Sequence, residues 1–378
     1  MTKSFKRLFY SVLLLFIIIR IYLQFLAGLA IKFIPFKPSF PHWNTILKTL
    51  GSKWLWLWGN FDGAHYLNIA KINYKDDLTQ AFFPFYPLLI KAFNFITHNS
   101  LWSGLIISHL SFIGFIYFFL KLGLLDYSKK TVRWAAILLL FFPTSFFFFS
   151  TYTESLFFLL AAAAFYFSRK KKFLLAALLA GIASATRLIG VFLLPAILWE
   201  YWQSAKKLKP LKLTTISLLG VSGISSYLYY LYKRFNNALI FIHSQPGFGA
   251  GRQVDKIILL YQVIFRYLKM LATVDLSNQI YPVLAFEFIM ALIFLALIIW
   301  ALIKKIRPSY LIFMIPAYLL PTFTGSFSSM PRYVLACFPL FYLLGNLKNN
   351  KLKKSIIVIS LLLLSWAFMR FSRGYWIS

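Results

Sequence analysis

The sequence is short of negative charge. Nine Asp and Glu stand against 40 Lys and Arg over 378 residues, a net charge of +31 at pH 7. It is as short of cysteine, and the single Cys337 excludes an intramolecular disulfide framework or a cysteine metal cluster. Five histidines, His42, His65, His98, His109 and His243, form no spaced ligand set, so no zinc site is expected. A Gly-rich phosphate loop, a G-x-S-x-G nucleophile and a paired metal motif are missing. Internal repeats and low-complexity linkers are missing as well, so residues 1–378 read as one domain.

What fills the chain is apolar. Sixty per cent of the residues are hydrophobic, with 43 Phe, 22 Tyr and 11 Trp, more than a soluble core buries. Apolar runs of roughly 15 to 22 residues recur from end to end, the length that crosses a hydrocarbon layer of about 30 Å. The first, Leu8 to about Ala27, follows Lys3, Lys6 and Arg7 as in a signal peptide. It shows no small-residue cleavage site and is read as the first helix.

The positive charge is spread in a way that argues topology rather than nucleic-acid binding. It falls into clusters between apolar runs: Lys3/Lys6/Arg7, Lys129/Lys130/Arg133, Arg169 to Lys172, Lys206/Lys207/Lys209/Lys212, Lys304/Lys305/Arg307 and Lys348/Lys351/Lys353/Lys354. The positive-inside rule places all six, and the N-terminus, in the cytoplasm. Between two such clusters, 134–168 covers about 35 residues, roughly 50 Å if helical and too long for one straight span. It is therefore predicted to cross twice. The same reasoning folds 173–202 into a hairpin near Arg187 and 308–347 into one near Arg332.

Two longer excursions, 28–100 and 233–279, also lie outside, and a last helix from Ser355 to about Phe371 leaves the C-terminus there. Arg370 and Arg373 then sit outside against the rule. Phe82 to Ile96, with Pro84 and Pro87, reads as outer-surface or partly inserted. The expected fold class is an all-α polytopic membrane protein of about 11 transmembrane helices with two long outer loops. Long ordered loops are where chemistry is sought.

Acids are scarce enough to weigh singly. Asp62 lies in Trp58-Gly-Asn-Phe-Asp-Gly-Ala-His65-Tyr66, where it reads as a general base or as a turn capped by Asp-Gly. Glu154 lies in Ser150-Thr-Tyr-Thr-Glu-Ser155, at the outer end of an uncharged hairpin. A carboxylate at membrane depth is costly and points to a site, and the competing reading is a helix start. Asp76 and Asp77 read as solvated, as do Asp126 and Glu200 beside cytoplasmic clusters. Asp255, Asp275 and Glu287 carry little weight.

Arg187, in Ala185-Thr-Arg187, and Arg332, in Pro331-Arg332-Tyr333, stand alone at outer turns with no acid near them in sequence. Guanidinium binds phosphate bidentately, so both suit a lipid phosphate, against the alternative of snorkelling to headgroups. His65 is one helical turn from Asp62 and is read as orienting it or touching substrate. Arg20, inside the first helix, reads as a lipid-phosphate contact or a structural ion pair. Aromatic stretches at 82–86 and 146–149 read as packing or lipid-facing residues, against the alternative of guiding a polyprenyl chain or stacking on sugar.

Nucleotide sugars are cytoplasmic, so an outward polar site needs a sugar delivered on a lipid. These residues suit an enzyme using a polyprenyl phosphate sugar. The rival is a transporter or flippase of lipid-linked carbohydrate, which calls for repeated halves that the sequence lacks.

The chain resembles the PIG-V mannosyltransferases of the GT-C glycosyltransferase fold, the second mannosyltransferase of GPI-anchor assembly and its bacterial relatives. The resemblance rests on Phe61-Asp62-x-x-His65-Tyr66-x-x-Ile69-Ala70 with Tyr74, on Ala81-Phe-Phe-Pro-Phe-Tyr-Pro87, and on Phe142-Pro143 with Tyr152-Thr-Glu-Ser155. Ala185-Thr-Arg187 and Pro331-Arg332-Tyr333 complete it. It departs from the family where Phe61 replaces a tryptophan and Asn73-Tyr74 replaces Gly-Tyr.

What the resemblance implies is a GT-C-type bundle with Asp62 as catalytic base, in the plasma membrane if the source is bacterial, with the active site outside. His65, Glu154, Arg187, Arg332, Tyr333 and Arg20 are then the substrate-binding candidates. The expected partners are a polyprenyl phosphate mannose donor, a glycolipid or other acceptor and membrane lipids. No cofactor is expected, and dependence on a divalent ion stays open.

Overall fold

A computed structural model describes residues 2–75, 78–204 and 209–377. Asp76, Asp77, Lys206 and Lys207 lie outside them, so the readings placed on these residues are not addressed. Every regular element among the described residues is helical. Thirteen helices have ten or more residues: α1 Lys3–Phe33, α2 Asp62–Ile72, α3 Phe85–Thr97, α4 Ser100–Gly123, α5 Lys129–Leu140, α6 Glu154–Arg169, α7 Phe173–Ser184, α8 Leu193–Ser204, α9 Pro210–Phe235, α10 Leu260–Thr273, α11 Tyr281–Ile303, α12 Pro308–Thr322 and α13 Asn350–Ser372.

Among the described residues, five helices are long and apolar enough to cross a membrane: α1, α4, α9, α11 and α13, of 23 to 31 residues. At 1.5 Å per residue they measure roughly 35 to 46 Å, against a hydrocarbon layer of about 30 Å. In α1 the buried positions Phe5, Leu8, Val12, Phe16, Ile19, Leu23 and Ala27 recur every three or four residues, so one stripe packs inward. Its other side exposes Leu14, Ile17, Ile21 and Phe25, an apolar face suited to lipid rather than water. The side chain of Thr2 caps its start by accepting from the Phe5 amide.

The stretch 134–168 is built from two shorter helices, α5 with 12 residues and α6 with 16. They are joined by a buried aromatic turn over Ser145–Phe149 rather than by an exposed loop. The segment at 82–96 becomes α3, of 13 residues, and it packs along α4. Helices α7 and α9 approach backbone to backbone: a Cβ on Gly223 would meet the Gly181 carbonyl oxygen at 1.9 Å. Small residues at such crossings let helices close without a side chain between them.

The C-terminal segment is tied to the end of the bundle that carries Asp62. Past α13, Arg373 Nε donates to the Ile34 carbonyl at 2.8 Å and Ser39 donates to the Gly374 carbonyl. Asn60 Nδ2 donates to the Phe371 carbonyl at 2.8 Å. The end of α13 therefore lies beside the end of α1 and the first long excursion.

Candidate active site at one end of the bundle

Asp62 is the first residue of α2, entered through Phe61 at φ 56°. A non-glycine residue in this region is strained, and such residues collect at functional sites. The Asp-Gly pair thus opens a helix instead of closing a turn, and the amide dipoles of α2 favour the carboxylate there. Gly63 lets this segment meet the next one, because a Cβ there would stand 3.2 Å from the Thr151 carbonyl oxygen. Thr151 donates its amide to the Trp58 carbonyl at 2.9 Å, and the Tyr152 hydroxyl donates to the Asn60 carbonyl at 2.8 Å. Two residues on, Glu154 opens α6, 1% exposed. Glu154 thus takes the helix-start position that one of its two readings expected.

Two arginines arrive from later in the chain. Arg187 follows α7 and donates from Nη1 to Glu154 Oε1 at 2.5 Å. Arg332 lies in the short helix Met330–Tyr333 and donates from Nη1 to Asp62 Oδ2 at 2.7 Å, with its Nε 3.4 Å from Glu154 Oε1. Sequence distance hid these partners: 270 positions separate Asp62 from Arg332, and 33 separate Glu154 from Arg187. Neither arginine has an acid near it in sequence, yet each is paired with a carboxylate in space.

Burial pushes the Asp62 carboxyl up, but Arg332, then His65, outweigh it and hold it below the ordinary carboxylate value. Burial likewise disfavours a charged Arg332, and Asp62 and Glu154 more than restore it. Asp62 and Arg332 therefore rest as an ion pair.

The network opens onto a cavity of about 480 Å³ lined by Asp62, Glu154, Arg187, Arg332 and Tyr333. The sequence reading missed three further lining residues, Tyr66, Arg252 and Lys256. Tyr66 is one turn of α2 beyond Asp62, and its hydroxyl lies 3.5 Å from Thr153 Oγ1. The other two belong to the second excursion, where no periodic pattern marks them. The Ser329 turn before Arg332, at φ 65°, is braced by Glu287. That carboxylate, 2% exposed, accepts from the Ser329 amide at 3.1 Å and from the Tyr267 hydroxyl at 2.7 Å.

His65 is not among the residues lining the cavity. It stands behind Asp62, stacked on Phe82 at 4.7 Å and edge-on to His42 at 5.7 Å. Arg20 is not brought to the cavity either. It lies over the Trp58 ring at 3.9 Å, a cation–π contact, and donates to Gln24 Oε1 at 2.8 Å. Among the described residues no group of three or more His, Cys, Asp or Glu is placed to hold a metal ion.

Asp126 and Glu200 are corrected as well. Instead of facing solvent freely, Asp126 takes both Arg169 nitrogens at 2.6 and 2.7 Å. Glu200, 4% exposed, takes Arg307 Nε and Nη2 and the Ser309 hydroxyl. No family model, curated protein or solved structure matches the chain.

Proposed function

We propose that the chain is a membrane glycosyltransferase on a GT-C-type bundle of about 11 spans. It moves a hexose, mannose on the family resemblance, from a polyprenyl phosphate sugar to a glycolipid or other acceptor on the outer face. The observation that carries this reading is the convergence of one ionised carboxylate, Asp62, and of four cationic side chains from three separate segments on one cavity. Its volume of about 480 Å³ falls in the range of small-molecule sites, a size suited to a sugar and its phosphate.

The reaction is a single displacement with inversion. The acceptor hydroxyl attacks the anomeric carbon and gives its proton to Asp62. The new carbon–oxygen bond forms as the bond to the phosphate oxygen breaks, and that electron pair leaves on polyprenyl phosphate. A phosphate is a stable leaving anion, so no general acid is required. The ion pair with Arg332 makes Asp62 a weaker base while keeping it ionised. A weak base suffices late in the attack, because the hydroxyl proton turns acidic as its oxygen bonds to carbon. Glu154 fixes Arg187 and Arg332 on the same wall.

The test is transfer of radiolabelled mannose from synthetic polyprenyl phosphate mannose by purified protein in lipid. Asp62→Asn is expected to cost about 10²- to 10⁴-fold in rate with donor binding retained. Full activity in that variant would remove Asp62 as the base. Wild-type protein that transfers to no acceptor yet moves a lipid-linked sugar across vesicles would establish the transporter reading instead.

A further inference from the structure

We infer that Arg252 and Lys256 form the subsite for the phosphate of the lipid donor, and that this subsite is matched to a phosphate dianion. The inference rests on the transferase reading above and deepens it. Four cationic side chains line the cavity, Arg187, Arg252, Lys256 and Arg332, with two carboxylates, Asp62 and Glu154. Both carboxylates are engaged by Arg187 and Arg332. Among the described residues no carboxylate lies within ion-pair distance of Arg252 or Lys256, and the Arg252 guanidinium donates only to Gln245 Oε1, at 3.3 Å. Two positive charges are therefore left over for a ligand.

The loop that carries them is fixed against the wall it faces. The Gln253 amide donates to the Thr324 carbonyl at 2.9 Å and the Ile258 amide to the Phe323 carbonyl at 3.1 Å. Arg266 Nη1 donates to the Gly325 carbonyl at 2.7 Å. The clipped segment runs on into Ser328 and Ser329, which also line the cavity. Their side chains are 5% and 1% exposed, and neither hydroxyl oxygen has a hydrogen-bond partner. Buried hydroxyls without partners are costly, and phosphate oxygens would accept from both. Burial pushes the Tyr333 phenol up, yet Arg252 and then Arg332 hold it below its ordinary value, so Arg252 acts electrostatically at the site wall. Phe82, Phe83, Phe241, Phe248 and Leu320 supply apolar wall for a prenyl chain.

The charge count selects the ligand's ionisation. A prenyl phosphate sugar is a diester with one negative charge, and the prenyl phosphate it leaves behind is a dianion above a second pKa of about 6. Two spare cations fit the second better than the first. Interactions that strengthen as the leaving group gains charge lower the barrier of the step rather than only tightening binding.

The experiment measures binding to the full-length protein in phosphatidylcholine nanodiscs at pH 8. The probes are farnesyl phosphate, its methyl diester, farnesol and inorganic phosphate. Wild type is expected to bind farnesyl phosphate several-fold more tightly than the diester, and both more tightly than farnesol. Arg252→Ala is expected to lose about tenfold or more for farnesyl phosphate and to erase its advantage over the diester. Arg252→Lys should keep most of the affinity, and Arg234→Ala, an exposed control, all of it.

Equal affinity of wild type and a folded Arg252→Ala for farnesyl phosphate would overturn the subsite, as would wild type that prefers the diester. Inorganic phosphate bound as tightly as farnesyl phosphate would overturn the lipid as its source. The two readings fail separately. Binding as expected without sugar transfer would remove the transferase and leave the subsite. Transfer abolished by Asp62→Asn, with Arg252→Ala binding like wild type, would do the reverse.

Discussion

The two ends of α6 make opposite use of the same chemistry. At its start, Glu154 joins Asp62, Arg187 and Arg332 around a cavity. At its end, 16 residues and about 24 Å away, Arg169 closes on Asp126. The neighbouring Arg307–Glu200 pair, at the start of α12, is of the same kind. In each of those two pairs one acid meets one base, with a hydroxyl from Tyr310 or Ser309 completing the set. The Glu154 end opens onto a cavity whose lining holds more cations than acids. A pair that neutralises itself is a structural tie, whereas a network with surplus charge facing a void is arranged for something that arrives.

The largest effect that would break this comparison is on rate. Asp62→Asn should slow sugar transfer by about 10²- to 10⁴-fold, while Glu200→Gln should leave transfer per folded molecule unchanged, both read in the radiolabel assay. Equal losses would mean that the two ends do not differ in function.

Next comes stability. Glu154→Ala removes the partner of Arg187 and the second acid beside Arg332, leaving cations whose side chains are 15% and 8% exposed without that compensation. A cost of about 3–5 kcal/mol is expected from denaturation in detergent. Glu200→Ala should cost less, about 1–2 kcal/mol, because Arg307 is 36% exposed and can turn to water.

The smallest effect is with pH. Asp62 titrates below its unfolded value of 3.8 in the folded protein. The stability it contributes is therefore present above that unfolded value and is lost as pH falls through the lower folded one. The rate of a single turnover should accordingly stay flat from pH 8 to pH 5. A decline beginning near pH 6 would show that Asp62 is not held down by Arg332.

Much of the site was legible because charges are rare between these apolar runs. Asp62, Glu154, Arg187 and Arg332 stand out against uncharged neighbours, and a charge kept at such depth needs a reason. The same logic did not reach the contact of Arg20 with the face of Trp58, a ring 38 positions later in sequence that no local pattern announces. It failed for Glu200, whose partner Arg307 lies 107 positions on. Arg252 and Lys256 were overlooked because an irregular loop has no periodicity from which a facing direction can be read.

The sequence by itself determined the medium and the material of this protein: helices, apolar on their outward faces, and few acids. That follows from composition and run length, since backbone polar groups in hydrocarbon must bond within the helix. Only the tertiary structure decided which charges meet. Ion pairing and cavity shape depend on distances between segments tens to hundreds of residues apart, and helix packing sets those distances. Hence the same residue types became a tie at one end of α6 and an open, cation-rich cavity at the other.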